Sequence, residues 1–368
     1  MGKSNYITLI PASWLFNASV IGFLKILEKS RIYENIEEML QEDGSIKLET
    51  EIFEKLSQRA KEIYFDKKLL NIGLVGKNEL YLNYIPVHAK ENPDFFREVI
   101  KLLGNATENG SCSVCGTGKY IPESKLRDST DEVKEFLSTK SSMSVILNSY
   151  LGASKGEFPN SYWDLKPDTK ICHLCSYLLI HHHLAMSELE GESSKSKIFI
   201  NSNSFKAMWE FSKLLEKYSI LGSAENIKHL AIPLLRLGKK IMSSIYSEEN
   251  NFEIVYYSLK KDKISPKNFV VKPNISKIIT NERISNIIEN IGNKKVLSSI
   301  LDGNFNNLLD IAEKITLYLQ KNDTNNEVLN KIIREEVGSY GGAKKILRNL
   351  LELYYLIYQE IRREEYGI

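Results

Sequence analysis

Cys112, Cys115, Cys172 and Cys175 are the only cysteines of the chain, and they fall into two pairs, "CSVC" and "CHLC". A pair spaced in this way makes a tight knuckle. The first thiolate binds, the turn points backbone N–H groups at sulfur, and the second thiolate closes the chelate. Two knuckles complete a tetrahedral shell around one zinc ion and leave no position for water, so a structural site is expected rather than a catalytic one. Just downstream stand His181, His182 and His183. On a helix they project in three directions and cannot together face a metal held by Cys172 and Cys175, so a solvated or half-buried helix face is expected for them. His173, inside the second pair, is the one alternative ligand.

Elements that would position these residues can be read on either side. "NYITLI" predicts a strand, and "PASWLFNASVIGFLKILEKS" predicts a helix apolar nearly all round, hence central to a core. A helix follows near residues 51–64. "LLNIGLVGKNELYLNYIPV" then predicts a hairpin around Gly76, Lys77 and Asn78. "NPDFFREVIKLLG" is a short helix, with Asp94 near its start and Gly104 at its end, that delivers the chain to the first cysteine pair. Between the pairs lie "DSTDEVKEFLSTK" and the loop-like "GASKGEFPNSYWDLKPDTK". Tyr177, Leu178, Ile180, Leu184 and Met186 suit a helix after Cys175. A strand in "KSKIFINSNS" follows, with Ser204 placed to cap the helix "FKAMWEFSKLLEKYS". Beyond it the chain reads as helical, apart from a strand at "NFEIVYYSLK" and the Pro- and Lys-rich loop "KKDKISPKNFVVKPN"; it ends in a long amphipathic helix. The expected class is α+β: a mixed N-terminal domain (1–110), an inserted four-cysteine zinc module (111–200) and a mainly α-helical C-terminal region (201–368) with a basic face.

Composition is that of a globular protein, with 42% hydrophobic and 26% charged residues. The apolar N-terminal run is interrupted by Ser13, Asn17, Ser19 and Gly22, so it reads as buried core and not as a leader; no stretch reaches the ~20 apolar residues of a membrane span. A cytoplasmic protein is expected, and in that compartment paired cysteines point to metal rather than to disulfides. Formal net charge is only +2, but residues 201–300 hold 16 basic against 9 acidic side chains, while each other segment is slightly acidic. Lys206, Lys213 and Lys217 share one helix face. Lys228, Arg236, Lys239 and Lys240 share another, and Lys260, Lys261, Lys263 and Lys267 crowd a loop. Stripes of this kind match contacts to a phosphate backbone, the competing reading being a lysine-rich solvated surface. The nearby aromatic residues Trp209, Tyr218, Tyr246, Tyr256 and Tyr257 are read as core. No serine–histidine–acid arrangement, phosphate-cradling glycine loop or zincin motif occurs, and the carboxylate pairs (Glu37–Glu38, Glu335–Glu336, Glu364–Glu365) read as solvated faces. No catalytic residue is assigned.

Taken in order, "LIPASWLFNASVIGFLKILE", the pairs "CSVC" and "CHLC" with a long insert, "KIFINSNSFKAMWEF", "FEIVYYSL" and a helical tail resemble the large subunit of type I-B CRISPR interference (Cascade) complexes, in the branch carrying two CXXC pairs. That resemblance spans most of the chain. It implies a non-catalytic subunit in antiviral defence that binds the 5′ end of CRISPR RNA and double-stranded target DNA, and recognises the protospacer-adjacent motif. It also implies help in opening the duplex and holding the displaced single strand, and recruitment of a helicase-nuclease. Implied partners include backbone, 5′-handle-binding and small subunits, and the tail would correspond to the small subunit, with Met208 or Met242 as an internal start. Polar residues expected in loops, Asn17, Lys77, Asn78, Lys119 and Asn160, are candidates for reading the motif. Two other classes stay open: a stand-alone zinc-containing nucleic-acid-binding protein, and a zinc enzyme using His181 to His183.

Overall fold

The computed structural model describes residues 6–65, 92–140, 142–143, 169–190, 196–217, 220–221, 252–260, 263–291, 294–321 and 343–366. The hairpin predicted around Gly76 and the loop containing Asn160 lie outside these residues. The class is α+β, with small sheets among helices and a helical C-terminal region. The chain divides into two units: unit 1 takes in 1–221 and 255–267, and unit 2 takes in 222–254 and 268–368. Among the described residues no helix is long and apolar enough to cross a membrane.

Unit 1 is organised around α1 (Trp14–Lys29), capped by the Ser13 hydroxyl, which accepts from the Phe16 N–H at 3.4 Å. Every residue from Leu15 to Leu27 is buried, as the sequence predicted for a helix apolar on all sides. Strand β1 (Tyr6–Leu9) pairs antiparallel with β2 (Ile46–Glu49), with Ile7 opposite Leu48. Helices α2 (Glu51–Gln58), α3 (Ala60–Tyr64) and α4 (Pro93–Leu103) follow; Asn92 caps α4, with Pro93 in its first turn. The β3–β4 hairpin (Thr107–Cys112, Gly116–Tyr120) leads into α5 (Glu123–Leu126), α6 (Asp131–Lys140) and the short pair β5 (Ser142–Met143) and β6 (Thr169–Lys170). The second cysteine pair opens α7 (His173–Leu178), followed by a 3-10 turn (Leu179–His181) and α8 (His182–Ala185).

A five-stranded sheet has the order β11-β10-β8-β7-β9, formed by β7 (Ser187–Glu190), β8 (Ser196–Ser202), β9 (Ile220–Leu221), β10 (Phe252–Lys260) and β11 (Lys263–Val271). Helix α9 (Phe205–Lys217) crosses between β8 and β9. Ser204 caps it as predicted, accepting from the Ala207 N–H at 3.4 Å. The boundary inferred near residue 200 is displaced. Phe205, Met208 and Trp209 join the same buried cluster as Phe16, Phe23 and Cys172, and the cysteine segment belongs to that core as well, so neither 110 nor 200 ends a unit. The Lys- and Pro-rich stretch expected as a loop is largely strand β11. It lies at the sheet edge, the position in which a strand accommodates a proline such as Pro266.

Unit 2 packs α10 (Pro273–Thr280), α11 (Glu282–Ile291), α12 (Lys294–Leu301), α13 (Asn306–Lys321) and α14 (Ala343–Tyr366) around isoleucines and leucines, among them Ile279, Ile284, Ile300, Ile315, Leu353 and Ile357. Each such side chain contributes about 1.5–3 kcal/mol by leaving water. Asn281 ends α10 through its backbone N–H and starts α11 with its side chain, whose oxygen accepts from the Arg283 and Ile284 N–H groups at 3.1 and 3.3 Å.

Candidate metal centre

The first knuckle is the turn of the β3–β4 hairpin, where Cys112 is in register with Gly116. Gly116 has φ of +78°, the left-handed conformation that lets the chain fold back directly after Cys115 without straining a side chain. Within the knuckle the Val114 N–H donates to Cys112 Sγ at 3.4 Å. Cys172 is the cap of α7 in the second knuckle, its sulfur accepting from the Cys175 N–H at 3.4 Å. A third bond joins the two, from the Cys172 N–H to Cys112 Sγ at 3.3 Å.

All four Sγ atoms lie within 4.8 Å of one another, and Cys115 and Cys172 are 3.8 Å apart. Zinc–thiolate bonds of about 2.3 Å in a tetrahedron require sulfur–sulfur edges of about 3.8 Å, so the cluster has the size of a metal site. The sulfurs of Cys112, Cys172 and Cys175 are buried and Cys115 forms the half-buried corner. Its thiol donates to the Thr117 carbonyl at 3.0 Å, a bond that ligation replaces. Thiol donors from Cys115, Cys172 and Cys175 hold Cys112 well below the ordinary thiol range, and the same sharing pushes Cys115 up. Burial, aided by the neighbouring thiols, also pushes Cys175 up. Four thiols crowded together resist joint ionisation, and a divalent cation among them removes that resistance by letting them all ionise. Four sulfurs on two N–H-bonded knuckles, from segments 57 residues apart, thus fit a closed tetrahedral metal ion.

His173 is not part of this shell. Its Nδ1 accepts the Ile121 N–H at 3.0 Å and its ring packs edge-on against Tyr120, while burial lowers its pKa to about 4. It ties the second knuckle to the strand that leaves the first.

His183 is half-buried, within the expected solvated or half-buried face, but the other two histidines depart from it. His181 and His182 are wholly buried, and burial lowers their pKa values to about 3 and about 4. The cause is α1. A Cβ on Gly22 would meet the His181 carbonyl oxygen at 2.0 Å, so the helix backbone lies directly against the 3-10 turn. His181 Nδ1 donates to the Leu178 carbonyl at 3.1 Å, which leaves Nε2 to accept from the Tyr64 hydroxyl at 3.0 Å. Tyr64 in turn accepts from the Tyr177 hydroxyl. Phe23, Phe53 and Phe96 surround this chain of polar groups. Both His181 nitrogens are therefore engaged inside the core, away from any open coordination position.

The remaining predicted residues are dispersed. Asn17 lies in α1 rather than in a loop and is wholly buried: its oxygen accepts the Ala12 N–H at 2.8 Å and its amide nitrogen donates to Ala12 O and Asn201 Oδ1 at 3.1 and 2.8 Å. Lys119 lies in β4, also not in a loop, 5% exposed, with its ammonium 3.2 Å from the Thr117 carbonyl and 3.4 Å from Glu108. Neither side chain is presented for reading a duplex edge. Lys206 and Lys213 share a face of α9 as predicted, but each is paired with a carboxylate, Glu42 at 2.6 Å and Glu28 at 2.5 Å, and Lys213 also covers the buried Trp209 ring. Lys217 ends α9. Lys260, Lys263 and Lys267 belong to strands β10 and β11 instead of a loop. Lys77, Asn78, Asn160, Lys228, Arg236, Lys239, Lys240 and Lys261 lie outside the described residues.

One buried charge escaped the sequence reading. Lys25, in the middle of α1 and 3% exposed, donates to the Leu184 carbonyl at 3.0 Å and pairs with Glu216 of α9 at 2.9 Å. Burial lowers its pKa, the Glu216 carboxylate partly restoring it. The signal was present as a single cation within "VIGFLKIL".

Searches of protein-family models, curated proteins and solved structures found no match to this chain.

Proposed function

We propose that the chain is a non-catalytic, zinc-stabilised subunit of a CRISPR RNA-guided interference complex, filling the large-subunit role that its sequence resembles. The observation that carries the proposal is the four-cysteine cluster, in which both CXXC pairs of the resemblance, 57 residues apart, converge on one closed site. One zinc ion there would stabilise the fold, because four thiolates leave no position for substrate or water. The order of elements around it supports the same reading: a central apolar helix, paired cysteines, a sheet and a helical tail. In this role guide pairing reads sequence, and the subunit contributes motif recognition and charge along displaced strands. The expected partners are CRISPR RNA, target DNA, the other Cascade subunits and the helicase-nuclease, in the cytoplasm.

The test is to tag the protein in its own host, purify it gently, sequence the bound RNA and identify the copurifying proteins. Uniform repeat-ended guide RNAs with a multi-subunit backbone are expected. Recovery of the protein alone, or with assorted RNA, overturns the assignment in favour of a stand-alone zinc-containing nucleic-acid-binding protein.

A further inference from the structure

The last helix, α14, carries a surface feature that the lysine-rich segment 201–300 does not account for. Lys344, Arg348, Leu351, Tyr355, Tyr358 and Arg362 are all exposed and follow one another at alternating spacings of four and three residues, which places them on one line along the helix. The line is about 27 Å long. The opposite face, with Ala343, Leu350, Leu353 and Ile357, is buried within unit 2. At the middle of the line Leu351, Tyr355 and Tyr358 are 49%, 59% and 43% exposed, although these residue types bury readily. The rings are held in place: Tyr354 and Tyr358 stack with planes 10° apart, the Arg362 guanidinium lies 4.7 Å over the Tyr358 ring, and Gln359 donates to the Tyr355 hydroxyl at 2.6 Å.

Charge selects the occupant. The carboxylates Glu352 and Glu360 lie off the line, engaged with Arg283 at 2.7 Å and Asn281 at 3.0 Å, and among the described residues Lys344 and Arg348 meet no carboxylate. The line is therefore cationic at both ends and aromatic between. A coiled-coil seam needs aliphatic residues at these spacings, and only Leu351 is aliphatic. A second copy of the helix would set Lys344, Arg348 and Arg362 against like charges. We infer that this face of α14 binds a single-stranded polynucleotide, with Lys344 and Arg348 on phosphates, one base stacked on Tyr355, and a second base taking the place of Arg362 over Tyr358 as that guanidinium turns to a phosphate. Flat exposed rings accept any base, and flanking cations follow the backbone without reading sequence. This inference does not rest on the interference-complex assignment, because the binding belongs to the isolated chain.

The test uses the full-length metal-loaded protein and a fluorescent thymidine oligomer of about fifteen nucleotides at about 50 mM salt. Binding is expected, weakened roughly tenfold by each of Tyr355→Ala and Tyr358→Ala. Arg348→Ala and Arg362→Ala should each reduce the slope of log affinity against log salt by about 0.7. Ultraviolet crosslinking of an iodouracil oligomer to the unaltered chain, read by peptide mass spectrometry, should place the adduct within residues 343–366. Absence of binding by the unaltered chain overturns the inference. So does an adduct elsewhere, such as on α9, combined with unchanged affinity of the tyrosine variants. If those variants keep oligomer affinity but lose a copurifying protein, the face belongs to a protein partner and the inference fails.

Discussion

Unit 1 and unit 2 reach stability by opposite routes. Unit 1 buries polar and ionisable groups, namely the sulfurs of Cys112, Cys172 and Cys175, His181, His182, Asn17 and Lys25, and gives each a specific partner. Unit 2, where described, buries chiefly isoleucine and leucine and keeps its charges outside. A core of bonded polar groups tolerates little change, since losing one partner strands the other in low dielectric. A core of aliphatic ridges tolerates repacking and leaves a surface free to vary.

The sharpest way to break this contrast is at the cysteines. Cys112→Ser, Cys175→Ser or metal removal by a chelator should unfold the cysteine segment and lose the bound ion, because structural zinc supplies about 10–16 kcal/mol to the folds that hold it. Unit 2 helicity should persist; metal analysis, circular dichroism and limited proteolysis would show whether loss is confined to unit 1. Full retention of fold and metal would remove the four-sulfur site.

Acid comes next. His181 and His182 titrate near 3 and 4 in the folded chain and near 6.5 when unfolded, so between those values the unfolded state binds more protons. Stability is therefore complete above pH ~6.5 and lost as pH falls, at about 2 kcal/mol for each of these histidines by pH 5. Denaturant melts at pH 7.5 and 5 should show it, and His181→Gln should flatten the dependence. Equal stability at both values would mean that the histidines are reached by water.

Gly22→Ala should cost about 3 kcal/mol, the upper range for overpacking, because the new methyl meets the His181 backbone oxygen rather than a side chain that can swing aside. Thermal melts would measure it; an unchanged midpoint would mean that α1 and the 3-10 turn are not in direct contact. At the small end, Tyr355→Ala in unit 2 should alter stability by no more than about 0.5 kcal/mol, as for other exposed positions. A larger loss would show that the ring is packed and unable to serve a ligand.

Much of the scaffold was legible beforehand. Helix α1 is apolar at every turn, and Ser204 stands where a cap belongs, so local pattern and observed structure agree. The edge strand β11 was misread because lysine and proline favour loops on average, while an edge position removes the penalty for both. His181 and His182 were misread for a related reason. Three adjacent imidazoles look polar in sequence, but burial depends on what lies against them, and Gly22 lets a helix approach within contact of the His181 backbone.

The sequence by itself determined which residues could ligate a metal, since spacing within a CXXC pair is a local constraint that few other functions impose. It determined α1 as core for the same kind of reason, periodicity being a property of neighbouring residues. The meeting of the two pairs, expected from the sequence, is borne out by the cluster of sulfurs, and only the tertiary structure decided that Asn17 and Lys119 are consumed by internal bonds. It alone decided that Lys206 and Lys213 face carboxylates and that the tyrosines of α14 remain outside. Each of those facts joins residues distant in the chain or depends on what is missing beside them, and no local pattern carries that information.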